Sequence, residues 1–339
     1  MTRVLVTGGT GSLGSALGRH LIDAGQDVAV LIPPGAPLGG LRDHAGRFEA
    51  RTGDLRDPDS LTAALRGITD VYHVAGEPIL LNRLATRMWA INAAGAEAMA
   101  EAAARAGVRR FVHTSSVSAI GYPPEGEIAD ETFDFARSVA HNAYSTTKRS
   151  GEEAVLRIGA RTDLDVVVVN PGGVLAPYSH RRHGWAAMVE RARCGKLTTW
   201  LPGGVSVCAA DDLVAGQVGA MRDGTAGHRY ILTTANLSYR ELFTLTCSAL
   251  DVDPPTRGAP AFAVQAAAGL VGLCARLLSD PVRSPLLVPE NAALGVRHLY
   301  YDASKARREL GLPIGDLRES IRAVDRWLSE EDSRAAALR

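Results

Sequence analysis

Lysine is scarce in this chain of 339 residues: only Lys148, Lys196 and Lys305 occur among 37 basic residues, so arginine is the default cation. Net charge is absent too. The 37 basic residues balance 37 acidic ones, which leaves no global field favouring nucleic acid or an anionic membrane. The four cysteines (Cys194, Cys208, Cys247, Cys274) form no Cys-x-x-Cys; they read as reduced, mostly buried thiols, and no metal site is expected. The opening "MTRVLVTGG" enters an apolar strand at once and lacks a secretory pattern, so a cytoplasmic protein is expected. No internal repeat or low-complexity tract is present.

One long apolar run does occur, from Ala259 to Ser279. Gln265 and Arg276 interrupt it, and much of it is Ala and Gly, so its hydrophobicity falls short of a membrane span. A buried or pocket-lining helix is expected there, with contact to a membrane surface as the alternative.

Elsewhere strand and helix patterns alternate. "RVLVTG", "DVAVLI", "RFEARTGD", "DVYHVAG", "RRFVHTSS" and "DVVVVN" read as strands. Between them lie "SLGSALGRHLIDAG", "PDSLTAALRG", an Ala-rich helix over 83–106 and "AYSTTKRSGEEAVLRIGA". This order implies βαβ units and an α/β fold with a doubly wound parallel Rossmann sheet. After Pro171 the pattern loosens. Residues 1–170, with about 205–222 returning, are expected to form the dinucleotide-binding domain; 171–204 and 223–339 form a smaller C-terminal substrate lobe.

"VTGGTGSLG" spaces Gly8, Gly11 and Gly14 by three, directly after the first strand and at the start of the first helix. One glycine permits the turn, one admits a pyrophosphate, and one lets helix and strand pack closely. The anion then sits at the helix N-terminus. At the end of the second strand, where an acid would select NAD, stand Ile32, Pro33 and Pro34. NAD and NADP both stay open. NADP is slightly favoured, because nothing there repels a 2′-phosphate and Arg42 lies further along the loop. Asp54, in "TGDL", is placed to meet an adenine edge.

"NAYSTTKRSG" puts Tyr144 and Lys148 four apart on one helix face. A neighbouring ammonium favours the phenolate and lowers a phenol pKa from its usual ~10. Such a tyrosine exchanges a proton with a carbonyl or alcohol oxygen. The lysine can also hold cofactor ribose hydroxyls, a role that depends on position and so disfavours the bulkier arginine. Thr114, Ser115 and Ser116 end the fifth strand and face the ligand crevice.

With these motifs in order, and with "YHVAG", Asn92 followed by Gly95, "NPGGVLAP" and "YYDASKARRELG", the chain resembles the extended short-chain dehydrogenase/reductases over nearly its whole length. It is most similar to their dihydroflavonol-reductase-like members, within the NAD-dependent epimerase/dehydratase family. The resemblance implies Tyr144 as acid/base, Lys148 as its modulator and Ser116 (second choice Ser115) as the orienting hydroxyl. It implies cofactor contacts from Gly8, Thr10, Gly11, Ser12, Leu13, Gly14, Arg42, Asp54, Leu55, Val74, Ala75, Gly76, Thr114, Ser115, Tyr144, Lys148, Pro171, Gly172 and Val174. Asn92 would be structural or part of a water relay. It also implies a homodimer through the helices of Asn92 and Tyr144.

Departures narrow the chemistry. Val117 and Ser118 stand where sugar-nucleotide dehydratases of this kind carry Asp-Glu. Val205 and Ala209 replace an arginine and an aromatic or histidine before Asp211-Asp212. The expected function is an NAD(P)-dependent oxidoreductase interconverting a ketone and a secondary alcohol on a medium-sized, fairly apolar metabolite. The alternatives are a sugar-type epimerase or dehydratase and a non-catalytic dinucleotide-binding regulator. The basic loop from Tyr178 to Trp185 either contacts substrate or is exposed. No nucleic-acid partner and no membrane span are expected.

Overall fold

The computed structural model describes residues 2–77, 85–178, 184–278 and 289–337. Its strands in chain order are β1 (Arg3–Thr7), β2 (Asp27–Ile32), β3 (Glu49–Thr52), β4 (Asp70–His73), β5 (Arg110–Thr114), β6 (Ile128–Ala129) and β7 (Asp165–Pro171). They continue with β8 (Gly173–Leu175), β9 (Thr199–Trp200), β10 (Gly204–Ala209), β11 (Arg229–Leu232), β12 (Ala235–Ser238), β13 (Arg257–Gly258) and β14 (His298–Tyr301).

Seven strands form a parallel sheet in the order β3-β2-β1-β4-β5-β7-β11. Successive residues of a strand point to opposite faces. Val4 and Val6, Val28 and Val30, and Val167 and Val169 therefore enter one core, under the helices Ser12–Asp23 and Ala210–Asp223. Leu5, Ala29, Leu31, Val166 and Val168 enter the other, under Pro58–Ala64, Ala94–Arg105 and Ala143–Gly159. Two covered faces explain why these strands are apolar without alternation. Pro58 opens its helix at the first turn, where the Asp57 side chain accepts from the N–H groups of Asp59 and Ser60.

The chain winds away from β1 on both sides, to β2 and to β4. This reversal places the ligand crevice at the carboxyl ends of β1 and β4. The expected helix over 83–106 starts, among the described residues, at Ala85 and runs to Arg105, with a π-helical turn at Trp89–Ala93.

The second layer differs from expectation in one respect. Strand β10, which was expected to return to the first domain, belongs to a second sheet, β12-β10-β14-β6, with β8 beside β10. Only its helix, Ala210–Asp223, rejoins the first sheet, and β11 follows it there to pair with β7. Conversely β6, from within the first 170 residues, pairs with β14. Each unit thus lends the other a strand. The second sheet packs on the helices Gly184–Arg193, Tyr239–Ala249 and Leu317–Ala337.

The apolar run becomes the helix Ala261–Leu278. It buries Val264 and Ala268 against Leu201, Ala292 and Val296, while Phe262 and Leu270 are exposed. It is therefore not a wholly buried helix. No described helix is long and apolar enough to cross a membrane. Of the loop from Tyr178 to Trp185, residues 179–183 lie outside the described residues. Cys208 and Cys247 are buried and Cys194 is exposed.

Candidate active site

The loop after β1 needs its glycines for two separate reasons. Gly8 has φ +69, and a Cβ there would lie 2.6 Å from the Ala75 nitrogen. A Cβ on Gly14 would overlap the Gly8 carbonyl. The loop closes on itself through Gly11 N–H to Gly8 O at 2.9 Å. Gly11 caps the helix Ser12–Asp23 without a side chain, so the first amides stay open to an anion. The Ala75 N–H donates to Thr7 Oγ1 at 3.2 Å, and Ser12 Oγ donates to the Pro177 carbonyl at 2.5 Å. Leu13 and Val74 pack on one core, and Ala75 and Leu55 on the other. Thr10 lies half-buried between Gly9 and Gly11. The close packing of Gly8 on Ala75 and of Gly14 on Gly8 shapes a loop whose open helix N-terminus fits a pyrophosphate.

The path from this loop to the tyrosine is continuous. A Cβ on Gly76 would lie 3.4 Å from Lys148 Nζ and 3.3 Å from Asn92 Oδ1. Lys148 is buried and donates to the Thr114 carbonyl at 2.9 Å. Asn92, at the π turn, accepts from the Glu77 N–H at 2.7 Å and donates to the Glu77 carbonyl at 3.1 Å. Gln217 donates to Thr114 Oγ1 at 2.9 Å.

Tyr144 stands in the first turn of the helix Ala143–Gly159. Asn142 and Ser145 form a reciprocal capping box there, with Asn142 Oδ1 accepting from the Ser145 N–H at 2.8 Å. Tyr144 is half-buried, and the Ser116 side chain lies beside its hydroxyl, where it favours the charged form. Ser115, the second choice, turns its hydroxyl into the interior, where it is buried with no partner among the described residues.

The electrostatics reverse one expectation. Burial pushes the Tyr144 phenol up to about 12, and the Ser116 hydrogen bond only moderates this. The ammonium is not what sets that value. Burial likewise pulls Lys148 down to about 8, against the opposing charge of Glu152. Beneath Lys148 lie two residues that the sequence reading missed. His73 and His113, neighbours across β4 and β5, stack at 5.3 Å. Burial, then the Lys148 charge, pulls His73 to about 3 and His113 well below the ordinary range. Both therefore stay neutral. The signal was available: each histidine stands in a strand-ending motif, "YHVAG" and "VHTSS".

Two expected cofactor residues are engaged elsewhere. Arg42 binds Glu331 of the C-terminal helix at 2.7 Å and lies 5.9 Å from the Trp327 ring centroid. The Asp54 carboxylate receives the Arg56 guanidinium at 2.9 and 2.5 Å, chiefly through which it is held at about 2. Ile32 is buried in the core, so its side chain reads no ribose. Pro171 ends β7, the Gly172 N–H donates to the Leu232 carbonyl at 3.1 Å, and Val174 pairs with Cys208, all at the seam between the sheets. Ala209 is buried in the core under the C-terminal helix. Asp212 is buried as well. It meets the Thr234 hydroxyl and accepts from the Gly315 N–H at 3.1 Å.

Residues 4–232 match the NAD dependent epimerase/dehydratase family. The chain belongs to this family. It is an enzyme of the family's extended short-chain type, an NAD(P)-dependent oxidoreductase. A Synechocystis sp. protein described as a candidate dihydroflavonol 4-reductase is 28% identical, covering 95% of this chain and 93% of its own. Sterol demethylase protein B of Methylococcus capsulatus is 29% identical, covering 96% and 98%. The fold matches the UDP-glucose 4-epimerase of Thermotoga maritima with TM-score 0.77 at 19% identity, covering 97% and 99%.

Lys148 also makes a prediction about stability. Its pKa falls from 10.5 to about 8 on folding. In that window the unfolded chain holds a proton that the folded chain has released, so this residue makes stability rise as pH climbs from 8 to 10. Lys148→Met should therefore be stabilising relative to wild type at pH 8, with the difference shrinking by pH 10 in urea unfolding. A difference independent of pH would show that Lys148 titrates normally.

Proposed function

We propose that the enzyme interconverts a ketone and a secondary alcohol by hydride transfer on a medium-sized, fairly apolar metabolite. The observation that carries this reading is the grouping of Ser116 beside the Tyr144 hydroxyl with the buried Lys148 one turn along the same helix. A nicotinamide nucleotide held by Gly8, Gly11, Gly14, Ala75, Gly76 and Lys148 would supply or accept the hydride.

With its phenol near 12, Tyr144 keeps its proton at neutral pH and is a donor. It delivers that proton to the substrate oxygen as negative charge develops there, and takes it back in the reverse direction. Ser116 donates a second hydrogen bond to the same oxygen and fixes its direction. The Lys148 ammonium stabilises the phenolate left behind and contacts the ribose hydroxyls. The covered sheet and the neutral histidines keep water from this proton path.

Two observations favour an apolar substrate. Val205 packs among Trp185, Trp200 and Leu237, where the sugar-nucleotide pattern wants an arginine. Two relatives carry names that refer to dihydroflavonol reduction and sterol demethylation. The sugar-type epimerase reading rests on fold likeness at 19% identity, and Val117 and Ser118 supply no acid-base pair. A cytoplasmic homodimer fits best: the helices of Asn92 and Tyr144 pack together and leave Trp89 43% exposed on their outer face. NADP is the proposed cofactor. The Arg42–Glu331 pair is half-exposed, and such pairs are weak enough to yield to a phosphate.

Tyr144→Phe should cut turnover by ~10²-fold or more while NADPH affinity barely changes; surviving turnover would remove Tyr144 from the proton path. Titrating the protein with NADPH and NADH tests the cofactor. An NADH preference above about tenfold, or ~1.4 kcal/mol, would overturn the assignment to NADP. Binding of neither would overturn the reading of the glycine loop as a nicotinamide-nucleotide site.

A further inference from the structure

Two turns beyond Tyr144, the same helix carries Glu152. Tyr144, Lys148 and Glu152 are spaced by four and share one face. The Glu152 side chain is 1% exposed. A buried carboxylate is expensive unless it is paired. Its Oε1 lies 2.6 Å from Arg229 Nε, on β11. That pairing explains how the charge is tolerated. The second oxygen shows what the charge reaches. Oε2 accepts from Asn170 Nδ2 at 2.7 Å, and the same amide nitrogen donates to the Ser116 carbonyl at 3.0 Å.

We propose that Glu152 is a positioning residue: through Asn170 it fixes the peptide at Ser116 and so aligns the Ser116 hydroxyl with that of Tyr144. The inference rests on the reading of Ser116 and Tyr144 as the reacting pair. Asn170, wholly buried on β7, bridges the helix to the turn after β5. On its other side the Ser116 carbonyl accepts from the Ala119 N–H at 2.9 Å, and Ser116 Oγ accepts from the Ser118 N–H at 3.2 Å. With the carbonyl held from two directions, the peptide plane cannot rotate, and the side chain keeps one heading. A hydroxyl misplaced by about 1 Å would forfeit much of the rate.

The test compares Glu152→Gln, Glu152→Ala and Asn170→Ala in the full chain. Turnover is measured with NADPH and cyclic ketones that the wild type reduces. Assays run at pH 6, below the value of about 8 for Lys148 in the wild type; Gln and Ala remove the same Glu152 charge, so any further lowering of Lys148 is common to both. Gln retains an oxygen for Asn170; Gln and Ala both leave Arg229 without its anion. Unfolding midpoints of both Glu152 variants should therefore fall, and further in Glu152→Ala, which also loses the Asn170 bond and leaves a cavity. Their turnover should separate: kcat drops roughly 10- to 100-fold in Glu152→Ala and Asn170→Ala at unchanged NADPH affinity, and by less than about threefold in Glu152→Gln. Equal losses in Gln and Ala, or full turnover in Asn170→Ala, would overturn the proposal. If Glu152→Ala does not fold, Glu152→Ala/Arg229→Leu removes the unpaired cation and takes its place. If the wild type reduces no ketone, the oxidoreductase reading fails. The link is then decided by the unfolding of Glu152→Ala, Asn170→Ala and their double variant: coupled losses support it and additive losses overturn it.

Discussion

A desolvated ammonium is the constraint on which the rest of this site depends. Lys148 sits inside the protein with the Thr114 carbonyl as its hydrogen-bond acceptor and the Glu152 carboxylate as the nearby charge that opposes its deprotonation. Keeping a cation there requires neutral surroundings, and His73 and His113 supply them by staying uncharged. It also requires a rigid acceptor, which the end of β5 provides. The parallel sheet delivers that strand end beside the glycine loop, because β1 and β4 are neighbours across the winding reversal. Sheet topology, glycine loop and the Tyr144–Lys148 helix thus converge at the carboxyl ends of β1, β4 and β5.

The same burial accounts for the acid. A phenol near 12 is a poor base and a reluctant acid in the resting protein. In the proposed reaction it would donate as charge builds on a substrate oxygen held between it and Ser116, so that proton transfer would be tied to a correctly placed substrate. The exposed ion pairs around the nucleotide end, Arg42 with Glu331 and Arg56 with Asp54, contrast with this fixed centre. They lie nearer the solvent than Lys148 does.

What the sequence made legible was local. The strand-loop-helix context of Gly8, Gly11 and Gly14, and the spacing of Tyr144 and Lys148, encode geometry within a few residues, and the fold places them as read. What escaped depends on distant chain. Arg42 meets its partner 289 residues away, and Asn170 reaches Ser116 across 54. Strand β11 lies beyond Pro171, where the pattern loosens, so its place beside β7 was unreadable without the pairing itself. The sign of the Tyr144 shift was missed for the same reason: spacing identifies the ammonium, whereas desolvation is set by everything that covers the site.

The central claim is that Ser116 and Tyr144 act as one proton-delivering unit, and a double-mutant cycle in kcat tests it most directly. Ser116→Ala and Tyr144→Phe should each slow turnover by ~10²-fold, and the double variant should be no slower than the worse of the two, because a unit is lost once. A double variant slowed by the product of the two losses, ~10⁴-fold, would mean that the hydroxyls act independently and would contradict the account.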